Sequence, residues 1–294
     1  MAGHHEPADL LPLPGRPGRD RDLARSLHNR SNRLGVLLQH EEALAVIKEA
    51  VDLYRQLVDA RPDAFRPALA GSLNNLSVRL AALGRHAEAL AATEEAVGIH
   101  RALADARPGA FRPALAGSLN NFSNWLSNLG RHKEAPAAIE EAVAIRRALA
   151  DAQPDAFRPV FAGSLDNFSL RLATLGRPKE ALAASNEAVA IWRALAAAHP
   201  DTYRPDLARS LSVLADRRDE NDDRPGGVAA NAEAIAILTV PFQQLPAMHI
   251  SLVAGMVGKY MERCERLEQQ PDMALLAPVL TLFDSMQKGG GDDA

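Results

Sequence analysis

The sequence is poor in aromatic residues and nearly lacks cysteine. Phe, Trp and Tyr make up 4% of the 294 residues, whereas hydrophobic residues as a whole make up 47%, a large share of them alanine and leucine. This composition favours closely packed helices over sheets. Cys264 is the only cysteine, so an internal disulfide and a zinc site of clustered cysteines are excluded, and a reducing compartment is expected.

Long apolar runs and an excess of positive charge are also missing. The most apolar stretch near the N-terminus, LLPLP at 10–14, is too short and too rich in proline for a signal peptide or a membrane span. We therefore predict a soluble, cytoplasmic protein with no membrane partner. Lys and Arg number 33 against 37 Asp and Glu, a formal net charge of −4. No nucleic acid partner is expected, because no basic field attracts a phosphate backbone.

Catalytic signatures are absent from the sequence. It has no GxSxG, no P-loop, no Rossmann glycine pattern and no HExxH motif. His86 and His132 recur at one position of a repeat, but Pro178 replaces them in the next copy, and no second ligand stands at metal-binding spacing. We predict no catalytic residue, no metal site and no cofactor, and therefore no enzyme.

What the chain does contain is a sequence repeat with a period of 46 residues. Without an insertion, this step connects five prolines and five serines: Pro62, Pro108, Pro154, Pro200 and Pro246, and Ser26, Ser72, Ser118, Ser164 and Ser210. Such a period indicates an array of units in which each buries its apolar face against the next. We interpret the recurring serines as packing residues, because small periodic residues usually face a neighbouring helix.

Each unit is predicted to contain two helices, most clearly at 67–108. Leucines at alternating steps of four and three form one apolar stripe of the first helix: Leu69, Leu73, Leu76, Leu80 and Leu83. Pro67 is expected to start that helix and Gly84 to end it with a positive φ. The second helix is expected at about 87–106. The RP-x-A-F-RP motif is expected to form a loop whose aromatic residue fills the gap between units.

The run LNNLSVRLAALGRHAEALAATEEAV resembles the tetratricopeptide repeat. The positions that carry the likeness are Leu76, Ser77, Leu80, Gly84, Ala89 and Ala96. The closer similarity is to the long-helix subclass typified by kinesin light chain, which shares the LNNL opening and the longer second helix, and it covers about 23–246. The chain departs from the family in its longer period, in the missing aromatic residue near Leu80, and in Leu38, which stands where the first turn should have glycine.

Period and resemblance together predict an all-α fold, a right-handed α-solenoid of antiparallel helix hairpins with a C-terminal helical cap. The expected domains are a disordered leader at 1–21, five tetratricopeptide-like repeats at 22–246, a helical cap at 247–287 and a disordered tail at 288–294. The period is expected to fail beyond Pro246. Segment 216–227, DRRDENDDRPGG, replaces the Leu-Gly turn in the fifth repeat, so an irregular, exposed and weakly stable turn is expected there.

Two polar rows run beside the leucine stripe. One consists of Asn29, Asn75, Asn121 and Asn167, and the other follows four residues later with Arg33, Arg79, Trp125 and Arg171. Steps of four place both rows on one side of the first helices. An asparagine amide can pair with a peptide backbone, and arginine can bind a carboxylate. In the repeats that this sequence resembles, the Asn of LNNL contacts bound peptide, which implicates Asn75 and Asn121 directly and Asn29 and Asn167 by position.

The third repeat is the most polar, with Trp125 where other repeats have arginine. The asparagines around Trp125 are Asn120, Asn121, Asn124 and Asn128. A large aromatic residue among amides is typical of a binding hot spot, but Trp125 could equally fill the joint to the fourth repeat. The candidate peptide-binding residues are thus Asn29, Asn75, Asn121, Asn167, Arg79, Arg171, Asn120, Asn124, Trp125 and Asn128.

Alternatives to peptide binding remain open from the sequence. Each Asn could instead bond the backbone of the neighbouring repeat, and each Arg could pair with a Glu that recurs at 49, 95, 141, 187 and 233. The function that the sequence predicts is a non-catalytic scaffold that binds a peptide or protein segment in its concave groove. An enzyme or small-ligand sensor on the same fold is one alternative, and a self-assembly module, forming homo-oligomers, is another.

Overall fold

A computed structural model describes residues 17–289, and the regular structure of this part is helical throughout. The helices are α1 Pro17–Val36, α2 His40–Ala60, α3 Pro62–Ala82, α4 His86–Ala106, α5 Pro108–Asn128, α6 Ala135–Ala152, α7 Pro154–Thr174, α8 Pro178–Ala198, α9 Pro200–Asp219, α10 Arg224–Gln244, α11 Pro246–Arg266 and α12 Met273–Gly289. The predicted all-α repeat architecture is confirmed.

The chain divides into two compact units, with α1–α5 in the first and α6–α12 in the second. Within each unit, helices that follow one another from α1 to α5 and from α6 to α11 are in contact. The first helices of consecutive hairpins also touch: α1 contacts α3, α3 contacts α5, and α7 contacts α9. This pattern is the one expected of stacked helix hairpins.

Each hairpin reverses direction at one residue with positive φ. The residue is glycine in three turns, with φ of 73° at Gly84, 73° at Gly130 and 70° at Gly176, as predicted. The same period continues through residues that are not glycine: Leu38 (φ 59°), Asp222 (φ 63°) and Glu268 (φ 53°). In the α3–α4 turn, the N–H of Gly84 donates to the Ala81 carbonyl (2.9 Å) and the N–H of Arg85 to the Leu80 carbonyl (2.9 Å). These bonds satisfy the last carbonyls of the helix, as in a Schellman motif.

The first helix of each repeat begins earlier than the sequence indicates. α3 starts at Pro62, so Pro67 lies inside the helix and the RP-x-A-F-RP motif is helical rather than a loop. Both prolines suit a helix start, and Pro67 deprives the helix of only one hydrogen bond near its N-terminus. Phe65, on the added turn, is buried as expected of an aromatic residue at a joint, and the guanidinium of Arg61 lies 5.3 Å from its ring centre.

The two ends of the chain differ from expectation. Residues 17–21, assigned by sequence to a disordered leader, are part of α1; the remainder of the leader and the tail beyond 289 lie outside the described residues. The backbone period does not fail at Pro246, because α11 begins there in register. α12 nevertheless packs on α10, where the rings of Phe242 and Phe283 are 5.3 Å apart. We retain as a proposal that 247–287 caps the array.

The acidic segment 216–227 is more regular than predicted. Its turn comprises only the four residues between α9 and α10, and the Asp223 carboxylate accepts a hydrogen bond from the Gly226 N–H (3.0 Å), capping α10. Arg263, buried on α11, donates to Asp216 (2.6 Å) and Asp219 (2.8 Å). The expectation of an irregular turn is therefore wrong, because distant basic residues neutralise the acidic ones.

Buried polar contacts connect consecutive hairpins at the recurring serines. Ser72 is hydrogen-bonded to Nδ1 of His28 (2.9 Å), and Ser118 to Nδ1 of His100 (2.8 Å). At Ser26, which is exposed, the interpretation as a packing residue is wrong, whereas the four serines from Ser72 to Ser210 are buried, which confirms it for them. Each one, however, also satisfies a polar side chain that changes from joint to joint.

The joint at Ser210 contains a half-buried carboxyl group. Asp166 on α7 accepts hydrogen bonds from Ser210 Oγ (2.6 Å) and from Trp192 Nε1 (3.0 Å). Burial raises the pKa of Asp166 from 3.8 to about 6, although these two hydrogen bonds act in the opposite direction. Desolvation is thus the dominant influence at this joint.

Gly84 offers a test of the turn geometry. Gly84→Ala should lower the free energy of unfolding by about 1–2 kcal/mol, because an L-residue is strained at φ 73°. Gly255→Ala is the matched control: a Cβ at this helical glycine would meet no atom within 4 Å, and alanine should stabilise the helix by about 0.5–1 kcal/mol. Urea denaturation measures both. Equal effects of the two substitutions would contradict the role of Gly84.

Asp166 should make stability depend on pH. Because its pKa in the folded chain, about 6, lies above the ordinary 3.8, its contribution is complete below about pH 4 and is lost as pH rises through 6. Linkage gives a loss of about 1.4 kcal/mol between pH 5 and pH 7.5. Asp166→Asn should remove this part of the pH dependence, measured as the difference from wild type in urea denaturation at both pH values. An unchanged profile would show that Asp166 does not titrate there.

Candidate functional site

The candidate site lies on the first helices of the hairpins. We call the asparagines that α1, α3 and α5 place side by side the asparagine row: Asn29, Asn32, Asn74, Asn75 and Asn121. Asn29 and Asn32 are exposed, whereas the other three are half-buried. The row belongs to the first unit and follows the contacts of α1 with α3 and of α3 with α5.

The asparagines of this row bond one another across the joints. Nδ2 of Asn75 donates to Oδ1 of Asn32, and Nδ2 of Asn121 donates to Oδ1 of Asn74 (3.1 Å). The partners are side chains, so the alternative that each Asn bonds the backbone of its neighbour is wrong for these two residues. Because an amide carries two N–H donors and a carbonyl, each donor retains one N–H and its oxygen for another partner.

Arg79 on α3 and Arg171 on α7 occupy corresponding positions of their own repeats, in the first and the second unit respectively, and both are partly buried. Burial lowers the pKa of both guanidinium groups, and the buried Nε of each makes no hydrogen bond. The guanidinium of Arg79 lies over Gly35, where a Cβ would come within 1.6 Å of one of its nitrogens. Arg79 therefore packs across the joint between α1 and α3, with its charge desolvated.

The recurring glutamates pair on the second helices instead. Arg55 on α2 binds Glu95 on α4 (2.8 Å), and Arg193 on α8 binds Glu233 on α10 (2.6 Å). Arg147 and Glu187 form the equivalent pair (2.5 Å). The alternative that Arg79 and Arg171 pair with these glutamates is thus wrong, whereas the interpretation of the glutamates as ion-pair partners is confirmed at these three positions. Each such exposed ion pair contributes little to the free energy of unfolding.

Trp125 contacts the preceding hairpin. Its Nε1 donates to Ser77 Oγ (3.3 Å), and its ring stacks on His86 with centroids 6.5 Å apart and planes inclined by 25°. The half-buried ring also packs against the apolar core between the first two hairpins. Trp125 therefore fills the joint to the second hairpin, and its remaining exposed surface borders the asparagine row.

The other predicted residues lie near these. Asn120 and Asn124 are half-buried, and Asn128 is exposed at the C-terminal end of α5. Asn167, half-buried on α7, belongs to the second unit. Hydrogen bonds across the joints therefore involve Asn75 and Asn121 among the predicted residues, whereas Asn167 and Arg171 lie at the equivalent positions of α7 in the second unit.

Sequence reasoning missed Asn32 and Asn74, the acceptors within the row. Asn32 does not recur at the period, since Val78 stands 46 residues on, and Asn74 recurs only once, as Asn120. A search for Asn near, rather than at, the period would have found them. Among the residues described, no group of three His, Cys, Asp or Glu side chains could hold a metal ion, and no helix is long and apolar enough to cross a membrane.

The repeats of this chain are similar to those of known proteins. A family model of the tetratricopeptide repeat matches residues 69–106, 115–155 and 161–201. No curated protein sequence is significantly similar to the chain.

Solved structures share the fold at low sequence identity. Nearly identical TPR-like repeats from Podosopora anserina, named for kinesin light chain, are 20% identical, with 79% of this chain and 100% of that chain covered and a TM-score of 0.55. BtubC (BKLC) from P. vanneervenii is 17% identical, with 76% of this chain and 91% of that chain covered and a TM-score of 0.55. A Rap protein complexed with Competence and Sporulation Factor is 15% identical, with 87% of this chain and 66% of that chain covered and a TM-score of 0.52. The family model thus identifies three tetratricopeptide repeats between residues 69 and 201, and the chain shares the helical repeat fold of these solved structures.

Proposed function

We propose that the protein is a non-catalytic interaction scaffold that binds an extended peptide or protein segment along its first helices. The observation that carries this proposal is the asparagine row, in which Asn75 and Asn121 each use one amide N–H to brace a joint. Their remaining N–H and carbonyl groups match the donors and acceptors of a peptide backbone.

The row is suited to binding because its amides are already held in place. Asn75 and Asn121 are half-buried, and each is fixed by a neighbour on the adjacent first helix. Side chains ordered before binding lose little entropy when a ligand arrives, so a few hydrogen bonds can give a useful affinity. Bracing and binding are thus compatible roles of the same residues.

Trp125 supplies the apolar contact that such a row needs. Its ring is anchored by Ser77 and His86 yet remains partly exposed beside Asn121 and Asn124. A rigid aromatic surface surrounded by amides is typical of interface hot spots. Among the fold relatives, the Rap protein is seen in a complex with Competence and Sporulation Factor, which supports ligand binding as a use of this fold.

The catalytic alternative has little support from the titratable groups. Asp166 has a raised pKa, but Ser210 and Trp192 occupy its two oxygens within a joint. Arg146, whose pKa burial lowers to about 10, bonds Ser164 and the Val160 carbonyl. Shifted groups bound in this way stabilise joints, and an active site would instead direct them at a substrate.

The asparagine row can be tested with peptides selected from a random phage-displayed library on the wild-type protein. Asn75→Ala combined with Asn121→Ala should lower the affinity for the selected peptides tenfold or more, about 1.4 kcal/mol, because two contacts to the peptide backbone are lost. Asn186→Ala, an exposed asparagine on α8, is the control and should change nothing. Thermal melts would show that the variants remain folded. Unchanged affinities in the folded double variant would refute binding at the row.

Trp125 should contribute to both stability and binding. Trp125→Ala should lower the free energy of unfolding by about 2–3 kcal/mol, less than the 3–5 of a fully buried Trp, because the ring is only half-buried. Trp125→Phe, which keeps an aromatic ring but loses the bond to Ser77, should cost only about 1 kcal/mol. If the hot-spot role is right, Trp125→Phe retains peptide affinity and Trp125→Ala loses it in the surviving folded protein. Unaltered binding by Trp125→Ala would leave the asparagines alone as the site.

A further inference from the structure

A second candidate site lies in the first unit, in a groove beside the C-terminal half of α4. The groove has a volume of about 760 Å³, within the range of small-molecule sites. Ile99 and Leu103 are its half-buried apolar lining, and Ala102 and Ala106 are the exposed small residues beside them. None of these residues belongs to the asparagine row.

The groove is apolar along most of its length and charged at one end. Its apolar part follows α4 from Gly98 to Ala106, a rise of roughly 12 Å at 1.5 Å per residue. Arg107 directly follows α4, and α3 begins beside it, so Asp63 and Arg66 lie at the same end as Arg107. An elongated ligand with one polar end matches this arrangement.

Gly98 keeps the groove deep. It is an exposed glycine inside α4, where alanine would be more favourable by about 1 kcal/mol, and a Cβ there would meet no atom within 4 Å. The second helices of the other repeats have a side chain at this position: Asp52, Ala144, Ala190 and Ala236. In the fifth hairpin, Val240 and Gln244 stand where α4 has Ala102 and Ala106, and the corresponding cavity has a volume of only about 430 Å³.

The charges at the polar end favour an anion. Arg66 is exposed and forms no ion pair within the described part of the chain. Arg107 is held by an aromatic ring rather than by a carboxylate, with its guanidinium carbon 4.9 Å from the centre of Phe111. Asp63 is the one acidic residue lining the groove, so the lining has two positive charges and one negative charge.

We propose that this groove binds an anionic amphiphile, a medium-chain monocarboxylate. Its hydrocarbon chain lies on Ile99 and Leu103 along α4, and its carboxylate lies near Arg66 and Arg107. Burial of each CH₂ stabilises such a complex by up to about 0.8 kcal/mol, and the guanidinium groups provide charge-assisted hydrogen bonds. The proposal is independent of peptide binding at the asparagine row.

The test is calorimetric titration of the full chain with octanoate. Wild type should bind it saturably with a Kd below about 1 mM. Gly98→Leu should reduce the affinity at least tenfold, because a Cβ at this position meets no protein atom within 4 Å and the leucine side chain would extend into the open groove. Gly255→Leu, at an exposed helical glycine of α11 that also has free space, should leave the affinity unchanged. Absence of binding by wild type, or equal binding by Gly98→Leu, would overturn the proposal.

The charge of the ligand is tested separately. Arg66→Gln should lower the affinity for octanoate severalfold and leave the affinity for 1-octanol unaltered, since only the carboxylate of octanoate contacts the guanidinium group of Arg66. Asp63→Asn should raise the affinity for octanoate, because the substitution removes the one negative charge that lines the polar end of the groove. If 1-octanol binds wild type as tightly as octanoate, or if Asp63→Asn weakens octanoate, the anionic headgroup is wrong and the proposal fails.

Discussion

Every hairpin depends on one residue in the left-handed conformation, placed at intervals of 46 residues. Glycine meets this requirement at Gly84, Gly130 and Gly176. At Leu38 and Glu268 an ordinary residue adopts the same φ, although an L-residue is strained there by roughly 1–2 kcal/mol. The hydrogen bond that closes the turn is also kept, from the N–H of Gln39 to the Leu34 carbonyl (3.0 Å). The stacking of hairpins therefore imposes the turn geometry even where the local sequence opposes it.

This constraint explains which parts of the fold the sequence could predict. The period, Gly84 and the leucine stripe are local signals, and they placed the hairpins correctly. The start of α3 was misplaced because Pro62 and Pro67 carry the same local preference for a helix start, and only packing of Phe65 selects the first. The acidic turn was misjudged for a related reason: Arg263, which neutralises Asp216 and Asp219, is more than 40 residues away, in a helix that the sequence analysis had placed outside the repeats.

The candidate site shows the same division between local and distant information. Helical spacing predicted equivalent places for Asn75 and Asn121 on α3 and α5, and in the structure each donates to an asparagine of the preceding first helix. Their acceptors, Asn32 and Asn74, were missed by a search at the exact period, because these bonds connect positions that differ within the repeat. Arg79 likewise packs over Gly35, which no later repeat shares at that position: Ala81, Ser127 and Ala173 follow there. The joints are thus distinguished from one another by residues that depart from the repeat.

The buried serines show how near-identical repeats keep a fixed order. Ser72, Ser118 and Ser210 occupy one position, but their partners are His28, His100 and Asp166 respectively. The apolar core is too similar from joint to joint to distinguish neighbours, whereas a mismatched joint would leave a buried polar group unpaired, at a cost of about 1–3 kcal/mol. These pairs therefore favour the native order of the hairpins over shifted ones. They thereby also favour the pairing of Asn75 with Asn32 and of Asn121 with Asn74 over pairings between other hairpins.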